Sequence, residues 1–125
     1  MEKNNIILIN NFVVEDATKQ QKVADMLEDA SKQILSKHDG FISTRIHKSL
    51  DGKKVMSYVQ WKNEDAIEKM LNDPRAIVQM NDIASVAQVE RILYELVFIE
   101  EKIGWTNVII HLSIQIFDRA SWMKR

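Results

Sequence analysis

Ser57 and Trp61 are the two residues whose types and spacing best suit chemistry on an organic substrate. They lie four positions apart in the run Val55 to Trp61, so a strand there turns both side chains to the same face. A serine hydroxyl can donate a hydrogen bond to an oxyanion. The indole ring of Trp61 can line an apolar pocket, or it can close the corner between a sheet and the helix that begins after it. Both roles of Trp61 stay open.

Two asparagines interrupt the apolar run from Ile6 to Val14, and one of them must point inward. A buried amide needs hydrogen-bond partners, so the inward residue is either a structural link or a pocket group. We take Asn11 as the candidate site residue, with Asn10 as its alternative.

His47 is a candidate base, because it is the only histidine on a predicted core strand and an imidazole titrates near neutral pH. Its neighbours on the same face, Ser43, Arg45 and Ser49, instead indicate a solvated rim. The three histidines of the chain lie too far apart in sequence to form a metal-ligand motif, so no metal site is predicted.

The composition excludes several classes of function. The chain has 125 residues, enough for one domain, and its 17 basic and 18 acidic residues nearly cancel, so nothing indicates a nucleic-acid partner. It has no cysteine, which excludes disulfides and thiolate chemistry. Its three glycines all fall at predicted turns. We therefore expect no phosphate-binding loop and no nucleotide cofactor.

No segment has the pattern of a membrane span or a secretory signal. The apolar character of the first 14 residues is broken by Asn10 and Asn11, and no small-residue cleavage site follows. The apolar-rich run Val108 to Phe117 is too short to cross a bilayer. We expect a soluble cytoplasmic protein with no membrane partner.

The first strand and helix can be placed from local patterns. The β-branched run Ile6 to Val14 predicts a strand, and Asp16 is suited to cap the helix that follows. Apolar residues then recur at steps of three and four until the helix ends near Gly40. The apolar face consists of Val23, Leu27, Ala30 and Ile34, and Glu28 and Lys32 are spaced as an ion pair on the other side.

A hairpin follows this helix. Asp51-Gly52 between two strand-like runs is the strongest short-range hairpin signal. The two predicted strands are Phe41 to Leu50 and Lys53 to Trp61.

The second helical region begins directly after Trp61. Asn63 is suited to cap a helix, and Pro74 after Asp73 predicts the start of a further helical piece at an angle to the first. From Val89 to Glu100 the chain returns to strand.

The predicted order β-α-β-β-α-β is that of a ferredoxin-like α+β fold, with an antiparallel sheet and its helices on one face. A sheet that is covered on one face only should alternate apolar and polar residues. These runs are apolar on much of both faces. We therefore expect the same surface of a second subunit to cover the second face, in a homodimer.

Residues 103–125 lie outside this plan. We expect them to form an extension that packs on the domain of residues 1–102 or on the partner subunit. Within the extension, the run Val108 to Phe117 has apolar residues at a period of two, which predicts an extra C-terminal strand. Ile109, Leu112 and Ile116 would also form a short helical stripe, so a helix is the alternative.

The chain runs in the order strand, helix, HDGFIS, strand, SLDGKKV, strand and QWKNEDA. This order resembles that of the antibiotic biosynthesis monooxygenase domain. The resemblance covers residues 5–100, and Gly40-Phe41, Asp51-Gly52 and Trp61 are its most recognisable points. It implies a dimeric ferredoxin-like α+β barrel, with a small cavity between each sheet and its own helices.

The resemblance also implies a function. Quinone-forming members of this family oxidise polycyclic phenols or quinols with O₂, without a metal, flavin or other cofactor. We therefore expect a cofactor-independent monooxygenase that acts on a small aromatic phenol or quinol. The chain has Ser57 and Ile67 where those members have Asn and Tyr. The alternative is a non-catalytic dimeric module that binds a small aromatic ligand.

Haem degradation is not expected. The haem-degrading members carry an Asn on strand one, which Asn10 or Asn11 matches. They also carry a Trp and a His in the second helical region, where this chain has Met70 and Met80.

Overall fold

The computed structural model describes residues 5–102, and its elements follow the predicted order. They form one antiparallel sheet of order β2-β3-β1-β4. The α+β ferredoxin-like prediction is therefore confirmed. The elements are β1 (Ile6–Val13), α1 (Ala17–Gln33), a 3₁₀ turn (Leu35–Lys37), β2 (Phe41–Lys48), β3 (Lys54–Trp61), α2 (Glu64–Leu71), α3 (Pro74–Ala84) and β4 (Gln88–Glu95).

The described part of the chain up to Leu96 belongs to one compact unit. Residues 97–102 have no regular secondary structure. The predicted strand Val108 to Phe117 and its helical alternative lie outside the described residues. Within residues 5–102, none of the helices is long and apolar enough to cross a membrane.

Helix α1 begins as predicted and ends earlier than predicted. The side chain of Asp16 accepts hydrogen bonds from the backbone N–H groups of Thr18 and Lys19, at 3.0 and 3.1 Å. The predicted apolar face is buried, and Glu28 pairs with Lys32 at 2.8 Å. The helix stops at Gln33, and the 3₁₀ turn lies between it and Gly40.

Gly40 opens β2 rather than ending α1. Its φ of +89° lies in the left-handed region, which favours glycine. A Cβ atom at this position would stand 2.6 Å from the Cβ of Ala66 on α2. The carbonyl of Gly40 also accepts a hydrogen bond from the N–H of Lys62, at 2.8 Å. Glycine is therefore required where the chain passes between α2 and the end of β3.

The hairpin and the two later helix caps lie where they were predicted. Gly52 has a φ of +81° in the turn between β2 and β3. Asn63 caps α2 by accepting from Ala66 N–H at 2.9 Å, and Asp73 caps α3 by accepting from Arg75 N–H at 2.9 Å. Pro74 occupies the first turn of α3.

Strand β4 is shorter than predicted, because it ends at Glu95 and not at Glu100. Among the described strands its only partner is β1, and Glu95 pairs with Ile6, the first residue of β1. Beyond Glu95 no β1 residue is left to extend the ladder.

The helix-facing side of the sheet carries two apolar clusters. One is built around Phe12, Val55 and Ile83, and the other around Leu8, Val59 and Trp61. Asn10 and Ser57 share the parity of these strand residues and lie between the two clusters along β1 and β3. Both are buried, so the sheet presents a polar pair in the middle of an apolar surface.

Candidate active site

A cavity lies between the sheet and the helices, above the Asn10–Ser57 pair. The cavity has a volume of about 50 Å³, and all the empty space around it, open solvent at its mouth included, measures about 570 Å³. An aromatic ligand must therefore displace side chains in order to enter. Two methionines line the cavity, and methionine adapts its shape readily. Most of the wall is apolar and includes Leu8, Leu27, Ile34, Met70, Met80 and Ile83.

Every layer of the fold contributes a polar group to this cavity. Asn10 and Ser57 are directly opposite each other in the β1–β3 ladder, and Asn10 Nδ2 donates a hydrogen bond to Ser57 Oγ at 3.5 Å. Asn10 is 5% exposed and Ser57 is 3% exposed. The other polar side chains are Ser31 on α1, Thr44 on β2, Gln79 on α3 and Arg91 on β4.

Three of these groups have unused hydrogen-bonding capacity. Asn10 Oδ1, Ser31 Oγ and Thr44 Oγ1 are buried, and none of the described residues gives them a hydrogen-bond partner. Buried polar atoms in proteins nearly always have partners, because an unsatisfied group is costly. All three atoms belong to residues that line the same cavity. The cavity therefore offers free hydrogen-bonding groups on an otherwise apolar wall.

Arg91 is the only charged residue among the described residues that line the cavity. It pairs with Asn10 across the β1–β4 ladder, so its side chain leaves the sheet on the helix side, next to the polar pair. The lining includes no carboxylate and no imidazole from residues 5–102. The described lining can thus stabilise an anion, but it offers no side-chain base to create one.

Trp61 is part of the core and does not line this cavity. Its side chain is 0% exposed and packs edge-on against Phe41, with ring centroids 5.7 Å apart. His38 makes a second edge contact at 6.4 Å. Of the two roles open to Trp61 from the sequence, the geometry favours closing the corner between the sheet and α2.

Asn11 and His47 lie on the opposite face of the sheet from the cavity. Both pair with Met56, Asn11 from β1 and His47 from β2. Side chains alternate along a strand, so the inward amide of β1 is Asn10. Ser57 is thus the one residue of the sequence-based set Trp61, Ser57, Asn11 and His47 that lines the cavity.

Sequence reasoning did not select Ser31, Thr44 or Arg91. Ser31 lies four residues after Leu27 and three before Ile34, so the helical period puts it on the apolar face of α1, and this signal could have found it. The face that Thr44 presents depends on an irregularity between Phe41 and Ser43 that shifts the register of β2 by one residue. Arg91 lies on an exposed strand where a charged residue is ordinary.

His38 ties the connection before β2 to the start of α3. Its Nε2 lies 2.8 Å from Oδ2 of Asp73, and Arg75 Nη2 donates to the same oxygen at 2.8 Å. The hydrogen bonds from Arg75 and then from His38 hold the pKa of Asp73 well below its usual value. Since Ala76, Gln79, Met80 and Ile83 of α3 line the cavity, this cluster positions one of its walls.

Metal ligation finds no support in the described part of the chain. Within residues 5–102, no three His, Asp or Glu side chains come together as ligands.

Comparison with known proteins identifies close relatives of this fold and sequence. Residues 6–76 match the family model described as Antibiotic biosynthesis monooxygenase. The Tetracenomycin-F1 monooxygenase of Streptomyces glaucescens is 32% identical to this chain over 88 residues, which are 70% of this chain and 78% of the relative.

Two solved structures share the fold at lower identity. One is the monooxygenase from the gene ActVA-Orf6 of Streptomyces coelicolor, in complex with Nanaomycin D. Its TM-score is 0.73 at 20% identity, over 80% of this chain and 94% of that one. The other is SnoaB, a cofactor-independent oxygenase from Streptomyces nogalater, with a TM-score of 0.67 at 14% identity over 79% and 99% of the two chains.

Proposed function

Since this chain belongs to the antibiotic biosynthesis monooxygenase family, we propose that it oxidises a small aromatic phenol or quinol with O₂ and without a cofactor. Membership of this family supports a monooxygenase activity. The aromatic class of the substrate is our proposal. It is supported by the names of two similar proteins, one after tetracenomycin F1 and one solved with nanaomycin D.

The observation that carries the proposal is an apolar cavity with a buried polar pair at its floor. Asn10 and Ser57 lie between two apolar clusters, and Arg91 stands beside Asn10 on the next strand. Ser57 Oγ accepts from Asn10, so its own O–H is free to donate to a ligand oxygen. Arg91 adds a positive charge at the same edge, and both interactions favour a phenolate over the neutral phenol.

In the proposed reaction the substrate supplies all the electrons. A phenol C–H and the phenol O–H are lost, one oxygen atom of O₂ becomes the new quinone oxygen, and the other leaves as water. The chain has three tasks in this reaction: to exclude water from the ring, to stabilise the phenolate and to hold it beside O₂. With no side-chain base in the described lining, the phenol proton passes to solvent at the mouth of the cavity.

A second candidate is a non-catalytic module that binds a small aromatic ligand. The observation in its favour is the same absence of a carboxylate or imidazole among the described lining residues. Binding needs only the apolar wall and the polar groups, whereas catalysis also requires the substrate to ionise.

Oxygen consumption separates the two candidates. The purified protein is incubated with a panel of anthrones, naphthols and quinols, with an oxygen electrode and with anaerobic samples as the baseline. The enzyme should consume one O₂ for each quinone formed and release no hydrogen peroxide. Ligand binding without O₂ uptake above the buffer rate, across the whole panel, would leave only the binding module.

We also propose that the chain is a homodimer in which the outward faces of two sheets meet. The outward face includes Ile9, Ile92 and Tyr94, and the last two are 38% and 46% exposed. Apolar residues of this size on a sheet face favour a partner surface.

A further inference from the structure

Two hydroxyl groups of the cavity take no part in the reacting edge formed by Asn10, Ser57 and Arg91. Ser31 Oγ projects from α1 and Thr44 Oγ1 from β2, and both atoms are buried with no hydrogen-bond partner among the described residues. We infer that Ser31 and Thr44 are specificity-determining residues, which bind a polar group at the edge of the ligand opposite to the reacting edge. This inference rests on the proposed function to the extent that an aromatic ligand occupies the cavity.

The pattern of hydroxyl bonding in the rest of the protein supports this role. Every other serine and threonine in residues 5–102 has a hydrogen bond within the protein. The partners are Asp16 for Thr18, Lys32 for Ser36, Gln60 for Ser43, Asp51 for Ser49, Asn10 for Ser57 and Asp82 for Ser85. The two hydroxyls without a protein partner both belong to the wall of one cavity. Their shared position indicates a common ligand.

The sheet register gives the distance between the two polar edges. Thr44 is opposite Val59, and Val59 is opposite Leu8 on β1. Thr44 therefore lies one strand and two residues away from Ser57, and two strands and two residues away from Asn10. These separations are ~8 and ~12 Å between Cα atoms, which suits about two or three fused rings with oxygen at both ends. Ser31 approaches the same cavity from the helix layer. A flat ligand would form hydrogen bonds with Asn10 and Ser57 at one edge and with Thr44 and Ser31 at the other.

Calorimetry without oxygen tests this inference independently of turnover. The probes are 2,6-dihydroxynaphthalene, which has hydroxyls at opposite edges, and 2-naphthol, which has one. The wild type should bind the diol about fivefold more tightly than 2-naphthol, as expected for one additional neutral hydrogen bond. Thr44→Val and Ser31→Ala should each reduce the ratio of the diol affinity to the 2-naphthol affinity towards one. The affinity for 2-naphthol itself should stay unchanged.

Ser43→Ala is the matched control, because it removes a hydroxyl from the adjacent residue of β2 on the opposite face. It should keep the wild-type preference. Equal binding of the two probes by the wild type, or a preference that survives in both cavity variants, would overturn the inference. Failure of both probes to bind would overturn it as well, together with the proposed binding of naphthols.

Thermal unfolding supplies a second measurement. Thr44→Val keeps the shape of the side chain and removes a buried hydroxyl without a protein partner, so its Tm should equal or exceed that of the wild type. A lower Tm would mean that the hydroxyl has a structural role and would overturn the inference. A protein that prefers the diol but consumes no O₂ with any phenol would refute only the enzymatic function.

Discussion

Asn10 and Ser57 are directly opposite each other on neighbouring strands, and the amide of Asn10 donates to the hydroxyl of Ser57. The bond leaves Asn10 Oδ1 without a partner among the described residues and leaves the Ser57 proton available to a ligand. The pair thus offers an acceptor and a donor side by side, at the floor of an otherwise apolar cavity.

Removing this pair should impair turnover far more than it impairs folding. Ser57→Ala should lower kcat by about 10²-fold, the effect of losing one donor to a developing oxyanion. Asn10→Ala should lower kcat less, because it removes only the hydrogen bond that orients the Ser57 hydroxyl. Steady-state oxygen uptake measures the change. Because the two residues are cross-strand partners, the double variant Asn10→Ser with Ser57→Asn should recover part of the rate lost by the single variants.

Asn11→Ala is the control for that series, since Asn11 is the next residue on β1 and faces away from the cavity. Its rate should match the wild type. A larger loss in this variant than in Asn10→Ala would show that the active face of the sheet has been assigned wrongly.

Trp61→Phe should reduce stability and leave ligand affinity unchanged. Trp61 packs on Phe41 and His38 and lies outside the cavity lining. The loss should be well below the roughly 3–5 kcal/mol of a core Trp→Ala change. Phe keeps most of the volume and removes a buried indole N–H that has no hydrogen-bond partner among the described residues. Denaturant unfolding and ligand titration on the same samples measure the two effects, and weaker binding by folded Trp61→Phe would contradict this placement.

Asp73 should make the stability of the folded protein depend on pH in the acidic range. Hydrogen bonds from Arg75 and His38 lower its pKa in the folded protein, so the stabilisation is fully present above the ordinary carboxyl value of 3.8. It is lost as the pH falls below that value towards the folded pKa, because the folded state must then take up a proton against these bonds. Asp73→Asn should flatten the fall in Tm below about pH 4. Asp29→Asn, on the exposed side of α1, should retain the wild-type profile.

The pH dependence of turnover should follow the substrate and not the protein. The described cavity lining has no carboxylate or imidazole, so kcat/KM should rise with pH up to the pKa of the phenol itself. With a phenol whose pKa is lower by about two units, the pH profile of kcat/KM should shift towards lower pH by about two units. His47→Ala should leave the profile unchanged. A profile that stays in place for both phenols would indicate a base in the protein.

A charge on the outward face of the sheet should separate the proposed dimer. Ile92→Asp places an unpaired carboxylate in that interface, which costs about 3–5 kcal/mol. Light scattering at micromolar concentration should then give the mass of a monomer. Ile77→Asp is the control, because Ile77 is even more exposed than Ile92, at 46% against 38%, but lies on α3. A wild type that is already monomeric would refute the dimer.

The local signals in the sequence were sufficient to predict every strand and α-helix within residues 5–102, but not the 3₁₀ turn Leu35–Lys37. The Asp16 cap, the Asp51-Gly52 turn, the Asn63 cap and the Asp73-Pro74 start all act through neighbours along the chain, and each occurs where it was predicted. The ends of α1 and β4 were wrong, because both depend on distant partners. Gly40 is constrained by Ala66, and β4 ends where β1 has no more residues to pair with.

The candidate site depended much more on tertiary structure. The parity of β3 placed Ser57 and Trp61 on one face, but only the packing of α2 and Phe41 buried Trp61 outside the cavity. Both faces of β1 are mostly apolar, so the choice between Asn10 and Asn11 depended on which face the helices cover. Ser31, Thr44 and Arg91 come from three elements far apart in sequence. Local sequence determined the strands and helices, because their hydrogen bonds and caps are short-range. The cavity arose only when separate elements brought side chains together, which no local pattern records.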